Sequence, residues 1–199
     1  MANVLIHTCC APCATYTVEH WRGQGLQLAA LWFNPNIHPY QEHERRLEAL
    51  DAFCRTVEMP FTRIPGYRMV DFLREVVGHE AGRCADCFRL RLSQTAKKAR
   101  EMGMDAFTTT LLISPYQKHE LLREVGEAVA VEQRVRFLYE DLRLGYHRSR
   151  TLSREQKLYR QQYCGCIYSE WERFARVSIV EDTGPGYNRM SPDPRHETG

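Results

Sequence analysis

The sequence predicts an α/β fold: a parallel sheet with helices on both faces, followed by a helical, basic C-terminal segment. Strand-like apolar runs alternate with helical stretches as far as Tyr139, the rhythm of βαβ units. Gln41 to Glu58 is strongly amphipathic, with Leu47, Leu50, Cys54 and Val57 on one face. A length of 199 residues suits one domain with a sizeable core.

In chain order, Asn3 to Thr8 reads as a short apolar strand ending in a cysteine cluster, and Thr15 to Gly23 as a helix. A buried strand over Leu26 to Phe33 stops at Asn34-Pro35-Asn36. After the amphipathic helix come a strand near Pro60 to Ile64 and a helix around Met69 to Val77. A loop from Gly78 to Cys87 carries a second cysteine cluster into a helix running to about Glu101. Asp105 to Leu112 is the next strand and Tyr116 to Ala130 the next helix. Ser114 as cap, Pro115 at the first position and Gln117 form a capping box, whose free N–H groups could also hold an anion beside Tyr116. Val135 to Tyr139 is the last expected strand. Arg143 to Tyr163 then turns basic and aromatic, a third cysteine cluster follows, and a helix through Glu170 to Arg176 closes a domain spanning 1–180. From 181 to 199, Gly, Pro and charge predict a flexible tail.

Net charge is only +2, so a nucleic-acid surface would have to be a local patch. No apolar run approaches the roughly 18 residues that span a bilayer. The start lacks the pattern of a secretory signal, so the expectation is a cytoplasmic protein with no membrane partner. Thiols stay reduced there, and eight cysteines then favour metal or redox chemistry over a disulfide framework.

Seven of the eight lie in three groups: Cys9-Cys10-Ala-Pro-Cys13, Cys84-Ala-Asp-Cys87 and Cys164-Gly-Cys166. Cys54 shares the apolar face of its helix and reads as core. The first group follows the first strand, at the sheet edge where open α/β folds bind ligands, with Cys13 near a helix N-terminus that favours its thiolate. The two-residue spacing of Cys84 and Cys87 is a metal-chelating step. Asp86 between them is an oxygen ligand, a proton donor, or simply a solvated helix cap. Cys164-Gly-Cys166 suits an easily reduced disulfide or ligands to two neighbouring metals. Zinc and iron–sulfur both remain open, although seven thiols exceed one tetrahedral zinc site and favour a cluster plus a second redox element.

Arg143, His147, Arg148, Arg150, Arg154, Lys157 and Arg160 interleave with Tyr146, Tyr159 and Tyr163 against a single acid, Glu155. That composition binds phosphates and stacks unpaired bases; equally, it describes a solvated helix face over packed tyrosines.

Leu5-Ile-His-Thr-Cys-Cys-Ala-Pro-Cys13, Asn34-Pro-Asn-Ile-His38, Arg83-Cys-Ala-Asp-Cys-Phe-Arg-Leu-Arg91, Thr109 to Gln117 and Tyr163-Cys-Gly-Cys-Ile-Tyr-Ser169 together resemble the QueH family of epoxyqueuosine reductases. The resemblance implies a PP-loop/HUP-like fold. It also implies reduction of the epoxide of epoxyqueuosine, at the wobble position of a tRNA, to the alkene of queuosine. A [4Fe–4S] cluster, an adjacent second iron and an external electron donor are implied with it. Carried over residue by residue, the cluster ligands fall on Cys9, Cys10, Cys84 and Cys87, and the redox-active pair on Cys164 and Cys166. Cys13 either joins the second iron or replaces one ligand of the first set. Asp86, His7 and Tyr163 are candidates for proton delivery, and Tyr116, Gln117, Arg148, Arg150 and Tyr163 for contact with the RNA.

Two other readings compete. A PP-loop-type tRNA-modifying ATPase needs a Gly- and Ser-rich phosphate loop where His7-Thr8-Cys9-Cys10 stands. A zinc-stabilised RNA-binding module would have no catalytic role.

Overall fold

The computed structural model describes residues 1–180 and 189–192. In chain order it contains β1 (Asn3–His7), α1 (Ala11–Gly23), β2 (Gln27–Trp32), α2 (Tyr40–Thr56), β3 (Phe61–Arg63), α3 (Met69–Val76), α4 (Arg83–Glu101), β4 (Ala106–Thr109), α5 (His119–Gln133), β5 (Arg136–Phe137), α6 (Tyr146–Glu155), α7 (Ile167–Ala175), β6 (Val177–Val180) and β7 (Arg189–Pro192). The five-stranded sheet has the order β3-β2-β1-β4-β5, with every pair parallel. β1 is central, which is why Val4, Leu5 and Ile6 form a continuous apolar run buried on both faces. Right-handed crossovers place α1 and α2 on one face and α4 and α5 on the other. α6 lies along α1.

The predicted α/β architecture, a parallel sheet flanked by helices, is the one observed; several local expectations are corrected. α1 begins at Ala11, not Thr15, because extended Cys10 caps it and Cys10 Sγ accepts the Cys13 N–H at 3.4 Å. α4 begins at Arg83, so Cys84 and Cys87 sit in its opening turns rather than in a loop. Cys87 there is buried against Phe72, Val76 and Cys166, on a flank of α4 away from the stripe of Phe88, Leu92, Ala96 and Ala99. β4 ends at Thr109, whose Oγ1 accepts the Leu111 N–H at 3.2 Å and starts a 3-10 turn over Thr110–Ile113.

The expected capping box does not form. Ser114 closes that 3-10 turn, and its carbonyl accepts buried His119 Nε2 at 3.0 Å, so α5 starts at His119 instead. The basic segment is not one helical stretch. α6 ends at Glu155, Lys157 takes a positive φ of 53°, and the chain stays irregular until Cys166 caps α7. Arg189–Pro192, expected in a flexible tail, pair antiparallel with Val177–Val180. The rest of the expected tail, 181–188 and 193–199, lies outside the described residues.

Gly145 lets α6 approach α1. A Cβ there would stand 2.0 Å from the Tyr16 ring. Gly145→Ala is therefore expected to destabilise the protein by about 1–3 kcal/mol through overpacking, measured as a lower urea midpoint with an unchanged slope. No loss of stability would mean that Tyr16 swings clear.

Candidate functional site

The strand order reverses between β1 and β4, and their carboxyl ends face the crevice that ligands use in such sheets. His7 and Thr109 are register partners there. His7 Nδ1 lies 2.9 Å from Thr109 Oγ1 and Nε2 lies 3.2 Å from Asn34 Oδ1, while Asn34 Nδ2 donates to the Thr8 carbonyl at 2.8 Å. With Asn34 so oriented, Nε2 carries the proton and Nδ1 accepts from the threonine hydroxyl. Burial, reinforced by the charge of Arg91, lowers the His7 pKa to about 4. His7 is thus a neutral, saturated ring that fixes the crevice floor, not a ready proton donor.

Directly after it, the Sγ atoms of Cys9, Cys10 and Cys13 lie within 4.8 Å of one another. The Cys9 N–H donates to Thr110 Oγ1 at 3.3 Å, tying the group to the far side of the reversal. Gln161 Nε2 reaches Cys10 Sγ at 2.9 Å and Cys13 Sγ at 3.7 Å. Hydrogen bonds from Cys10 and Cys13 push the Cys9 thiol well below its ordinary range. Burial pushes Cys10 up, and the hydrogen bond to Cys10 pushes Cys13 up. Three thiols this close together, one of them favoured as thiolate, are the donor chemistry of a soft-metal or metal-cluster site.

Of the other four grouped thiols, Cys87 and Cys166 share a second buried cluster with Phe72 and Val76, and among the described residues none of the four joins a metal-sized group with the first three. The field at Cys87 includes Cys164, Cys166 and Cys84, although burial is the main cause of its raised pKa. Cys166 Sγ accepts the Ser169 N–H at 3.3 Å and so caps α7, while Gln117 Nε2 donates to exposed Cys164 at 3.4 Å. Arg46, 1% exposed, holds this loop: Nε pairs with Glu42 at 2.7 Å, and Nη1 and Nη2 donate to the Cys164 and Tyr163 carbonyls at 2.8 and 3.1 Å. Gly165 between the cysteines has φ 144°, and a Cβ there would stand 3.0 Å from Ile37 and 3.3 Å from Arg46 Nη1. Arg91, also 1% exposed, lies in the fields of Cys87, Cys164, Cys9 and Cys84.

The match to the family described as epoxyqueuosine reductase QueH covers residues 4–172. The chain belongs to the QueH family. Among curated relatives, the epoxyqueuosine reductase QueH of Dehalococcoides mccartyi is 46% identical over 174 residues, covering 87% of this chain and 96% of that protein. The relative of the same name from Thermotoga maritima is 33% identical, with 87% and 93% covered. Among solved structures, a predicted subunit of tRNA methyltransferase from Methanocaldococcus jannaschii aligns with a TM-score of 0.53 at 10% identity, over 78% of this chain and 76% of that one, a likeness of fold alone.

The other predicted site residues of this QueH-family chain are placed as follows. Asp86, in the first turn of α4, pairs with exposed His79 at 3.2 Å. The Tyr163 hydroxyl donates to the His38 carbonyl and its ring lies under Arg46, so both ends are engaged within the chain. Tyr116 is exposed and meets Tyr146 edge-on, with ring centroids 6.0 Å apart. Arg150 stacks over Tyr146, and Arg148 is only loosely paired with Glu19 at 3.7 Å. Of the basic run, Arg143 is committed to Asp141, whose carboxyl it holds down at about 2. Surface depressions at Trp32, Tyr40 and Tyr67 and at Arg68, Glu75 and Gln94 contain none of the thiols.

Sequence reasoning missed Arg46, Arg91, Gln161 and Thr110. A signal existed for Arg91, a cation four residues after Cys87 within the apolar stripe of α4. None existed for Gln161, which reaches the thiols from an irregular segment.

His38 is the hub of the cysteine loop. Its N–H donates to the Gly165 carbonyl at 2.8 Å, its Nδ1 accepts the Ile167 N–H at 3.3 Å, and its Nε2 lies 3.1 Å from the Pro35 carbonyl. Burial lowers its pKa to about 4 from the usual 6.5. The unfolded chain then binds this proton first, so the stability contributed is complete above pH 6.5 and is lost as the pH falls from there through 4. The urea midpoint of the metal-free protein is expected to fall across that window, and less steeply in His38→Gln. Equal slopes would remove His38 from the account.

Proposed function

We propose that this chain is an iron–sulfur oxidoreductase of the cytoplasm that reduces epoxyqueuosine in tRNA to queuosine. The observation that supports this most is the convergence of Cys9, Cys10 and Cys13 at the carboxyl edge of a QueH-family sheet. Cys9 and Cys10 with Cys84 and Cys87 are the proposed [4Fe–4S] ligands, with Cys13, which lies beside the first two, either replacing one of the four or joining the second iron. The donor set fits: three soft thiols within 4.8 Å of one another, with Arg46 and Arg91 buried in their field. When bound, the iron–sulfur group would supply electron transfer, and the second iron Lewis-acid stabilisation of the epoxide oxygen.

The chain's own residues supply the rest. Opening the epoxide to an alkene consumes two electrons and two protons and releases the oxygen as water. Closing the Cys164 and Cys166 dithiol to a disulfide releases two electrons and two protons, so the two half-reactions balance. Gln117 orients Cys164, and Arg46 and Gly165 set the loop that carries it. An external donor then reopens the disulfide. Asp86, on the surface with His79, is the proposed route for proton exchange with solvent.

Arg148, Arg150, Arg154, Lys157 and Arg160 are exposed and follow one another from α6 toward the Cys164 loop, with Tyr116 and Tyr146 alongside. They are the proposed seat of the tRNA. Arg148→Ala and Arg150→Ala are each expected to weaken tRNA binding and to reduce the slope of log affinity against log salt by about 1. An unchanged slope in both would place the RNA elsewhere.

The deciding experiment is anaerobic purification with iron and sulfide analysis, then incubation with epoxyqueuosine-containing tRNA and a reductant. Queuosine formation by iron-loaded protein is expected. Stoichiometric zinc without sulfide would favour the RNA-binding module, and tight ATP binding the ATPase; Cys10 as the cap of α1, in the place of a phosphate loop, argues against the latter.

A further inference from the structure

Two arginines are fully buried beside the thiols, and only one is neutralised. Arg46 has Glu42 and two carbonyls. Arg91 donates from Nε to the Cys87 carbonyl at 3.2 Å and stacks 5.7 Å over Phe88, yet forms no ion pair with a carboxylate among the described residues. Its Nη2 is buried without a hydrogen-bond partner among the described residues. A buried guanidinium left with an open donor is costly unless an anion completes it. The carbonyl it holds belongs to thiol-bearing Cys87, and its charge is also felt at Cys164, Cys9 and Cys84, thiols of all three cysteine groups. At 1% exposure it is closed to an RNA phosphate, so the completing anion must lie among the sulfurs.

We propose that Arg91 is the positioning residue for the bound iron–sulfur group, donating from Nη2 to its sulfur and raising its reduction potential. The inference rests on the reading that such a group is bound. A thiolate-ligated cluster is anionic and becomes more so on reduction. A fixed cation and N–H donor therefore favour the reduced form over the oxidised one.

The test compares wild type, Arg91→Met and Arg91→Lys, loaded anaerobically and titrated electrochemically with visible absorbance and electron paramagnetic resonance. At the wild-type midpoint, Arg91→Met is expected to show a reduced-to-oxidised ratio lower by about tenfold, equal to about 59 mV for a one-electron couple. Arg91→Lys should recover most of it. Metal-free Arg91→Met should melt no lower than metal-free wild type, because it loses an unpartnered buried charge. Folded Arg91→Met that cannot retain iron and sulfide, where Arg91→Lys can, would support the same role. A fully loaded Arg91→Met with an unmoved potential overturns it, as does a metal-free variant that melts well below wild type. Wild type that takes up no iron and sulfide overturns the parent reading, and this inference with it.

Discussion

Replacing Cys164 and Cys166 together by serine is expected to lower multiple-turnover reduction of epoxyqueuosine tRNA by at least about 10³-fold, roughly 4 kcal/mol in barrier, with little change in melting temperature. Serine is the informative substitute because Cys166 Sγ caps α7 through the Ser169 N–H, and a hydroxyl keeps that acceptor. The alanine pair should lose the same activity and, in addition, about 1 kcal/mol from the lost cap. Quantifying queuosine by nucleoside analysis after excess tRNA is supplied separates the outcomes. Full turnover in the serine pair would remove the dithiol from the reaction. A single product equivalent with no further turnover would instead mean that the pair serves only the resetting step.

Arg46→Met should have the largest effect on stability. It removes the partner of buried Glu42, which also accepts from the Tyr159 hydroxyl, and it frees the Cys164 and Tyr163 carbonyls. Breaking a buried pair from one side costs about 3–5 kcal/mol. For a chain of this size that is a fall of roughly 10 °C in melting temperature. Adding Glu42→Gln should recover part of the loss, since the stranded carboxylate is then gone. Activity should not return with it, because the loop carrying Cys164 keeps its freedom. Recovery of both would reduce Arg46 to a folding role, and recovery of neither would mean that the carbonyl contacts outweigh the ion pair.

Much was legible because it is local. The apolar runs at Val4–Ile6 and Leu28–Trp32 and the face of Leu47, Leu50 and Cys54 are periodicities that burial imposes on any such chain. Boundaries failed where side chains compete with backbone. Ser114 looked like a helix cap but closes a 3-10 turn, and Cys10 capped a helix expected to start at Thr15. Sulfur as a capping acceptor has no strong sequence signature, so both cysteine caps, Cys10 and Cys166, were invisible until their neighbours' N–H groups were placed.

The sequence by itself determined the parallel α/β class, the family and the grouping of seven thiols, since these depend on residue type and spacing along one chain. Tertiary structure alone decided which groups meet. It set Cys9, Cys10 and Cys13 within 4.8 Å of one another, packed Cys87 with Cys166, and placed Arg91 in the fields of Cys9, Cys84, Cys87 and Cys164. The physical reason is the strand order: the reversal between β1 and β4 opens one crevice, and residues from 7 to 166 share it only because parallel crossovers return each strand end to the same edge.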